Sequence, residues 1–138
     1  VRETEFADFI HKEYPDIEII TTLDSFEDPQ ITYEKTVKLL RDYQDLQGIY
    51  ITCGGVSQVG RALEESGRAK DIRVISFEDY PEVVDLIRKD VIDCTLAGEL
   101  QQQGEIPVQI IMDYLVFGKE PEQQQIFTDI RVLVKESL

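Results

Sequence analysis

The stretch GIYITCGGVSQVGRALEESG, residues 48–67, decides the reading of the whole chain. It opens with Ile49 to Cys53, an apolar, β-branched run of strand length. Gly54-Gly55 then permits a tight turn. Beyond it Val56, Val59 and Leu63 recur at helical spacing, and Gly67 stands where a helix end favours a left-handed residue. A strand, a glycine turn and a helix in this order make half of a βαβ unit.

The same alternation extends outward in both directions. Downstream, Ile72, Val74 and Ile75 read as a strand, and Tyr80-Pro81 opens a helix with Val83, Val84 and Ile87 inward. Ile92 to Ala97 is the next strand. A helix bearing Ile110, Ile111, Tyr114 and Leu115 follows, ended by Gly118, with Pro107 expected to kink it or delay its start. Ile130 to Val134 closes the pattern. Upstream, Asp28-Pro29 caps and opens a helix whose apolar face is Val37, Leu39, Leu40 and Tyr43. Ile17, Ile19 and Ile20 read as a strand, and Phe6, Phe9 and Ile10 as a helix ended by Pro15. This order predicts an α/β fold: a parallel β-sheet flanked by helices on both faces, a Rossmann-like three-layer arrangement. Ligands of such sheets sit beyond the carboxyl ends of the strands. The default site is therefore Thr52 to Val56, Phe77 to Tyr80 and Ala97 to Leu100.

Composition narrows the function classes. With 42% hydrophobic and 30% charged residues in 138, the chain suits one globular core. No apolar run approaches the roughly 20 residues a membrane helix needs. A net charge of −14 repels phosphate backbones and anionic lipid, so any DNA contact belongs to a segment outside this sequence. The charged opening VRETEF shows no secretory signal pattern, and with no initiator Met the sequence reads as a fragment of a cytoplasmic protein.

Catalytic chemistry finds little support. His11, the one histidine, lies on a charged helix face, and Gly-Gly-Val-Ser-Gln is not the Gly-x-Ser-x-Gly elbow. Cys53 and Cys94 read as buried, inert thiols. Gly54, Gly55 and Gly60 do not match a dinucleotide fingerprint, although the amides of Val56 and Ser57 suit an oxygen atom. Glu78, Asp79 and Glu99 follow strands; they suit sugar hydroxyls, a cation or acid–base work, and Asp79 equally suits a helix cap. The ligands for a metal site are too few. No catalytic residue, no metal and no cofactor is expected.

Five segments in register resemble the LacI/GalR family of transcription regulators and the related sugar-binding proteins. They are residues 2–6 (RETEF), 48–63, 71–79 (DIRVISFED), 92–104 (IDCTLAGELQQQG) with the following Gly118 to Pro121, and 128–137 (TDIRVLVKES). The resemblance spans nearly the whole chain. It implies a periplasmic binding protein type I-like lobe: residues 1–98 as the C-terminal lobe, 99–127 packing with an N-terminal lobe not in this sequence, and 128–138 returning to the C-terminal lobe. The ligand-binding residues it implies are Arg2, Gly54, Gly55, Phe77, Glu78, Gly98, Glu99 and Leu100. Arg2 is retained outright and its fork of donors suits vicinal hydroxyls. Glu78 stands where many members have Asp. Gly54 and Gly98 stand where they have Asn and Gln, which points away from an ordinary hexose or pentose.

The function so implied is the effector-binding domain of a LacI-family regulator. It would bind a small sugar-like metabolite between lobes and control DNA binding allosterically, with operator DNA touched only by an absent N-terminal domain. A homodimer through the helices starting near Val56 and Pro81 is implied as well. The alternative is the solute-binding component of an ABC sugar transporter, and an enzyme built on Glu78 and Glu99 ranks below both. Without its N-terminal lobe, the face of Ile110, Ile111 and Leu115 is expected to lie open to a neighbouring copy or to pack unusually.

Overall fold

The computed structural model describes residues 2–138. In chain order the elements are α1 (Arg2–Glu13), α2 (Pro29–Asp42), β1 (Gly48–Tyr50), α3 (Val56–Ser66), β2 (Arg73–Phe77), α4 (Pro81–Arg88), β3 (Cys94–Gly98), α5 (Leu100–Phe117) and β4 (Ile130–Val134), with a final 3-10 turn (Lys135–Ser137). The fold is α/β, with a four-stranded sheet in the order β1-β2-β3-β4. β1, β2 and β3 are parallel, as the alternation predicts.

β4 departs from that pattern and runs antiparallel to β3. Gly98, the last residue of β3, faces Ile130, the first of β4. The chain comes back from α5 at the point where it left, so it can only run the other way.

The two faces of the sheet are covered unequally. Sequential strand order with right-handed crossovers puts α3 and α4 on the same face. That face carries Val74, Ser76, Thr95 and Ala97, each 0% exposed. Leu63, Ile72, Ile87 and Ile92 fill the core above it. The helices touch at Gly60, where an added Cβ would fall 2.5 Å from Leu86 Cδ1. On the other face α1 gives cover by stacking Phe6 on Tyr50 at a centroid distance of 4.1 Å. Ile75 on this face stays 38% exposed.

α2 turns a different side inward from the one its apolar residues suggest. Thr32, Thr36 and Leu40 are buried, while Val37 and Tyr43 are exposed and Leu39 is half-buried. The two threonines satisfy their hydroxyls locally, donating to the carbonyls of Asp28 and Thr32 at 2.7 Å each, so burial leaves nothing unpaired. Their small side chains also let α2 approach Gly55, where a Cβ would lie 2.8 Å from Thr32 Cγ2. Asp28 caps α2 as expected, its Oδ1 accepting from the Ile31 amide at 2.9 Å. Arg68 finishes the same helix: its guanidinium donates to the carbonyls of Leu40, Tyr43, Gln44 and Leu46 at 2.9–3.2 Å.

The strand expected at Ile17, Ile19 and Ile20 is absent. The segment joins no ladder, and Ile17 and Ile20 are 50% and 39% exposed. β-branched residues suit a pleated surface, but they become a strand only against a partner. α5 starts at Leu100, so Pro107 does not delay it, and none of its residues is buried. Ile111, Tyr114 and Leu115 are more than half exposed, so the apolar face does lie open. Cys53 is exposed rather than buried, because β1 ends at Tyr50 and leaves it in the turn. Among the described residues no helix is long and apolar enough to cross a membrane.

Candidate functional site

The carboxyl ends of β1 and β2 open into a cleft of about 290 Å³. Gly54, Gly55, Ser57 and Gln58 form one wall, Glu78 and Tyr80 another, and Glu27 reaches in from the loop before α2. Each part is placed by local backbone chemistry. Gly55 adopts φ 94°, a left-handed conformation that opens α3 without a side-chain cap. The amides of Gln58 and Val59 donate to the Gly55 carbonyl, while those of Val56 and Ser57 precede the first helical bonds. The cleft therefore presents donors from the start of α3 beside two carboxylates, Glu27 and Glu78.

Glu78 is held in an unusual backbone state, with φ 78°. Its amide donates to the Leu96 carbonyl at 2.9 Å, and its own carbonyl accepts from Thr95 Oγ1 at 2.6 Å. Non-glycine residues in this region persist where the surroundings over-determine them, often at functional sites. The loop carrying Glu27 shares the trait: Phe26 and Glu27 have φ 52° and 57°. Asp24 Oδ1 accepts from the Phe26 amide at 2.8 Å, and Lys35 bonds the Asp24 carbonyl. Phe26, next to Glu27 in the chain, is 76% exposed, with Lys35 Nζ 5.8 Å from its ring centre.

Arg2 reaches the same strand ends from the opposite face. Its Nη1 donates to the Thr52 carbonyl at 2.9 Å, and its guanidinium lies over the Phe77 ring at 4.2 Å. Phe77 packs edge-on against Tyr50, whose hydroxyl is pushed up by burial, with Arg2 opposing that shift. Arg2, Phe77, Gly54, Gly55 and Glu78 thus gather at one edge of the sheet.

Gly98, Glu99 and Leu100 do not line that cleft. Gly98 packs against the Gln103 side chain, and a Cβ there would fall 2.5 Å from Gln103 Nε2. Glu99 accepts from Arg131 Nε at 2.6 Å, and Leu100 is 66% exposed at the start of α5. Glu78 lines the cleft, whereas Glu99 is paired with Arg131 outside it. Asp79 is not a helix cap; Tyr80 holds that position, and Asp79 pairs with Arg131 at 3.3 Å. Among the described residues no cluster of potential metal ligands occurs.

A larger cavity, about 440 Å³, lies under α5 between Ile106, Ile110 and Ile126. Its walls are mainly apolar, with Gln102, Gln103 and Thr128 as the polar members, and most of them belong to α5, which has no buried residue, so it marks an uncovered surface. Specific binding needs convergent polar groups, and those converge in the smaller cleft. Glu27, Gln58 and Phe26 escaped the sequence reading.

Residues 2–120 match the model of the periplasmic binding protein domain. No curated protein sequence matches the chain. Among solved structures, a sugar-binding protein of a sugar ABC transporter from Bacillus halodurans is 28% identical, with a TM-score of 0.83 over 98% of this chain and 50% of its own. An ABC transporter solute-binding protein from Agrobacterium vitis with bound D-fucose shares the fold at 23% identity, with a TM-score of 0.89 over 98% of this chain and 46% of its own. A second one from the same organism, bound with alpha-D-tagatopyranose, does so at 20% identity and a TM-score of 0.89, over 98% of this chain and 45% of its own. The chain spans about half the length of these structures. On the family match, which covers most of its residues, the chain belongs to the periplasmic binding protein domain family.

Proposed function

We propose that this chain forms most of one lobe of a sugar-binding protein serving an ABC transporter, and that the cleft at the β1 and β2 ends holds an uncharged sugar. The observation that carries the reading is the convergence of Glu27, Glu78, Gln58 and the first amides of α3 in one opening. Carboxylates accept from sugar hydroxyls, and helix-start amides and Gln58 donate to them. The exposed ring of Phe26, the neighbour in sequence of the cleft residue Glu27, is the apolar surface proposed for the C–H face of a pyranose. Arg2 approaches from the other side with one hydrogen bond among the described residues, so its fork retains donors. Residues 99–127 then pack with a second lobe, which fits the exposed apolar face of α5.

Charge selects within this class. Two carboxylates in the cleft and a net charge of −14 disfavour sugar phosphates and sugar acids. Thermal-shift titrations of the full chain with D-fucose, D-tagatose and D-glucose 6-phosphate test the reading. A neutral sugar raises Tm in proportion to the logarithm of its concentration, and the phosphate does not. Stabilisation by the phosphate alone, or by no monosaccharide, sinks it. Phe26→Ala and Glu78→Ala weaken binding of a neutral sugar about tenfold each, the loss expected for one good contact.

A second reading, the effector domain of a LacI-family regulator in the cytoplasm, rests on the five sequence segments from Arg2–Phe6 to Thr128–Ser137. The fold serves both. The residues encoded upstream of Val1 discriminate: a helix-turn-helix supports regulation, and an export signal supports transport.

A further inference from the structure

Arg131 stands on β4 opposite Ala97, and its guanidinium joins two carboxylates on different loops. Nε meets Glu99 Oε1 at 2.6 Å and Nη2 meets Asp79 Oδ2 at 3.3 Å. Glu99 is where the chain leaves β3 for α5, and its amide donates to the Asp129 carbonyl at 3.2 Å, where the chain comes back. These two passes form a neck, with α5 beyond it and no residue of α5 buried against the sheet. Asp79 follows Glu78, whose left-handed backbone is bonded to Leu96 and Thr95 of β3. Arg131 is therefore the side chain that ties the neck to the loop carrying Glu78.

We propose that Arg131 is a positioning residue that couples the neck to the cleft. A rotation of the neck shifts the anchor of Asp79 and is felt at Glu78, and an occupant of the cleft is felt at the neck. Calling Glu78 a ligand residue rests on the sugar reading above; the coupling itself needs no ligand. Arginine suits the task because Nε and Nη2 address two acceptors at once in a fixed plane. Lysine, with a single charged nitrogen, holds one partner at a time. An ordinary exposed pair would leave the backbone of both loops unmoved when removed.

Amide hydrogen exchange on the full chain without ligand tests the coupling in wild type, Arg131→Gln, Arg131→Lys and Glu99→Gln. Arg131→Gln accelerates exchange of both the Glu78 and Glu99 amides about tenfold and leaves Val59 to Leu63 unchanged. Arg131→Lys restores part of the protection. Glu99→Gln accelerates the Glu78 amide as well, although among the described residues Glu99 has no hydrogen bond or ion pair to that loop. Unchanged exchange at Glu78 in Arg131→Gln, or a uniform rise that includes α3, overturns the proposal. So does a Glu99→Gln effect confined to Glu99. A separate D-fucose titration of wild type bears only on the sugar reading, so the failure of either is told apart from the failure of the other.

Discussion

The α3 side of the sheet and the α5 segment are both rich in apolar residues, yet only one of them is a core. Leu63 and Ile87 on the α3 side are 0% and 1% exposed, whereas Leu115 and Phe117 of α5 are 71% and 77% exposed. Composition does not separate them. What separates them is pattern and geometry: α3 confines its apolar residues to one stripe, at Val56, Val59 and Leu63, and meets α4 at Gly60. α5 is apolar nearly all round, a pattern that suits burial on several sides, and this sheet offers it none. An apolar helix thus reports how many surfaces it needs, and the lobe supplies too few.

That comparison breaks most directly under alanine scanning. Leu63→Ala removes a fully buried side chain and costs about 2–5 kcal/mol. Leu115→Ala, at 71% exposure, changes stability by less than about 0.5 kcal/mol. Urea denaturation of the two variants checks the difference, and equal losses would mean that α5 is packed in solution. Replacing Leu115 by Glu sharpens the same contrast, since removing apolar surface there lowers self-association in light scattering without lowering Cm.

Next in size is Arg68, which links α2 to the turn after α3 by bonding four carbonyls, with no acidic partner among the described residues. Arg68→Ala takes the donor from the carbonyls of Gln44 and Leu46, while Leu40 keeps Gln44 Nε2 and Tyr43 keeps the Leu46 amide, and costs about 2 kcal/mol. Arg68→Lys recovers little, because one ammonium group does not span acceptors from residue 40 to residue 46. Recovery of wild-type stability by lysine would show that charge matters there and the fork does not.

Much of this was legible in the residues. Asp28-Pro29 announced the α2 start, Gly67 the α3 end, and the strands β1 to β3 followed from their β-branched runs. What failed did so for non-local reasons. The inward face of α2 is set by where Gly55 comes close to Thr32, and no window of α2 alone contains that fact. The direction of β4 depends on where α5 delivers the chain. Ile17 to Ile20 has strand composition but gains no ladder, because pairing belongs to two segments and composition to one. At the candidate site, Gly54, Gly55 and Glu78 were readable as strand ends. Glu27 and Phe26 depend on a loop folding back with φ values that side chains rarely adopt.

A smaller effect of opposite sign tests whether the core is fully matched. Ser76 is 0% exposed and its Oγ has no hydrogen-bond partner among the described residues. Ser76→Ala removes that unpaired group and stabilises the fold by up to about 1 kcal/mol. A loss of stability instead would show that the hydroxyl has a partner in solution, such as a buried water.

The smallest effect lies at the far end of β4, where Lys135 Nζ meets Asp90 Oδ2 at 2.6 Å. Asp90 takes the left-handed position after α4, φ 59°, which Asp and Asn tolerate better than most residues. The Lys135 contact holds its carboxyl below the usual value, with the charges of Lys135 and Lys70 adding to that and slight desolvation opposing it. A carboxylate whose pKa is lower in the folded state stabilises the fold above its unfolded pKa, and that contribution is lost as pH falls through the folded value. Asp90→Asn keeps the backbone preference and removes the charge. It therefore lowers Tm slightly at neutral pH and not at all in acid, once the wild-type carboxyl is itself protonated. Raising the salt concentration narrows the gap, since the pair is exposed at both ends. A Tm difference that persists unchanged from neutral pH into acid would assign the role of Asp90 to its backbone position, and the tie between β4 and α4 would lose its electrostatic part.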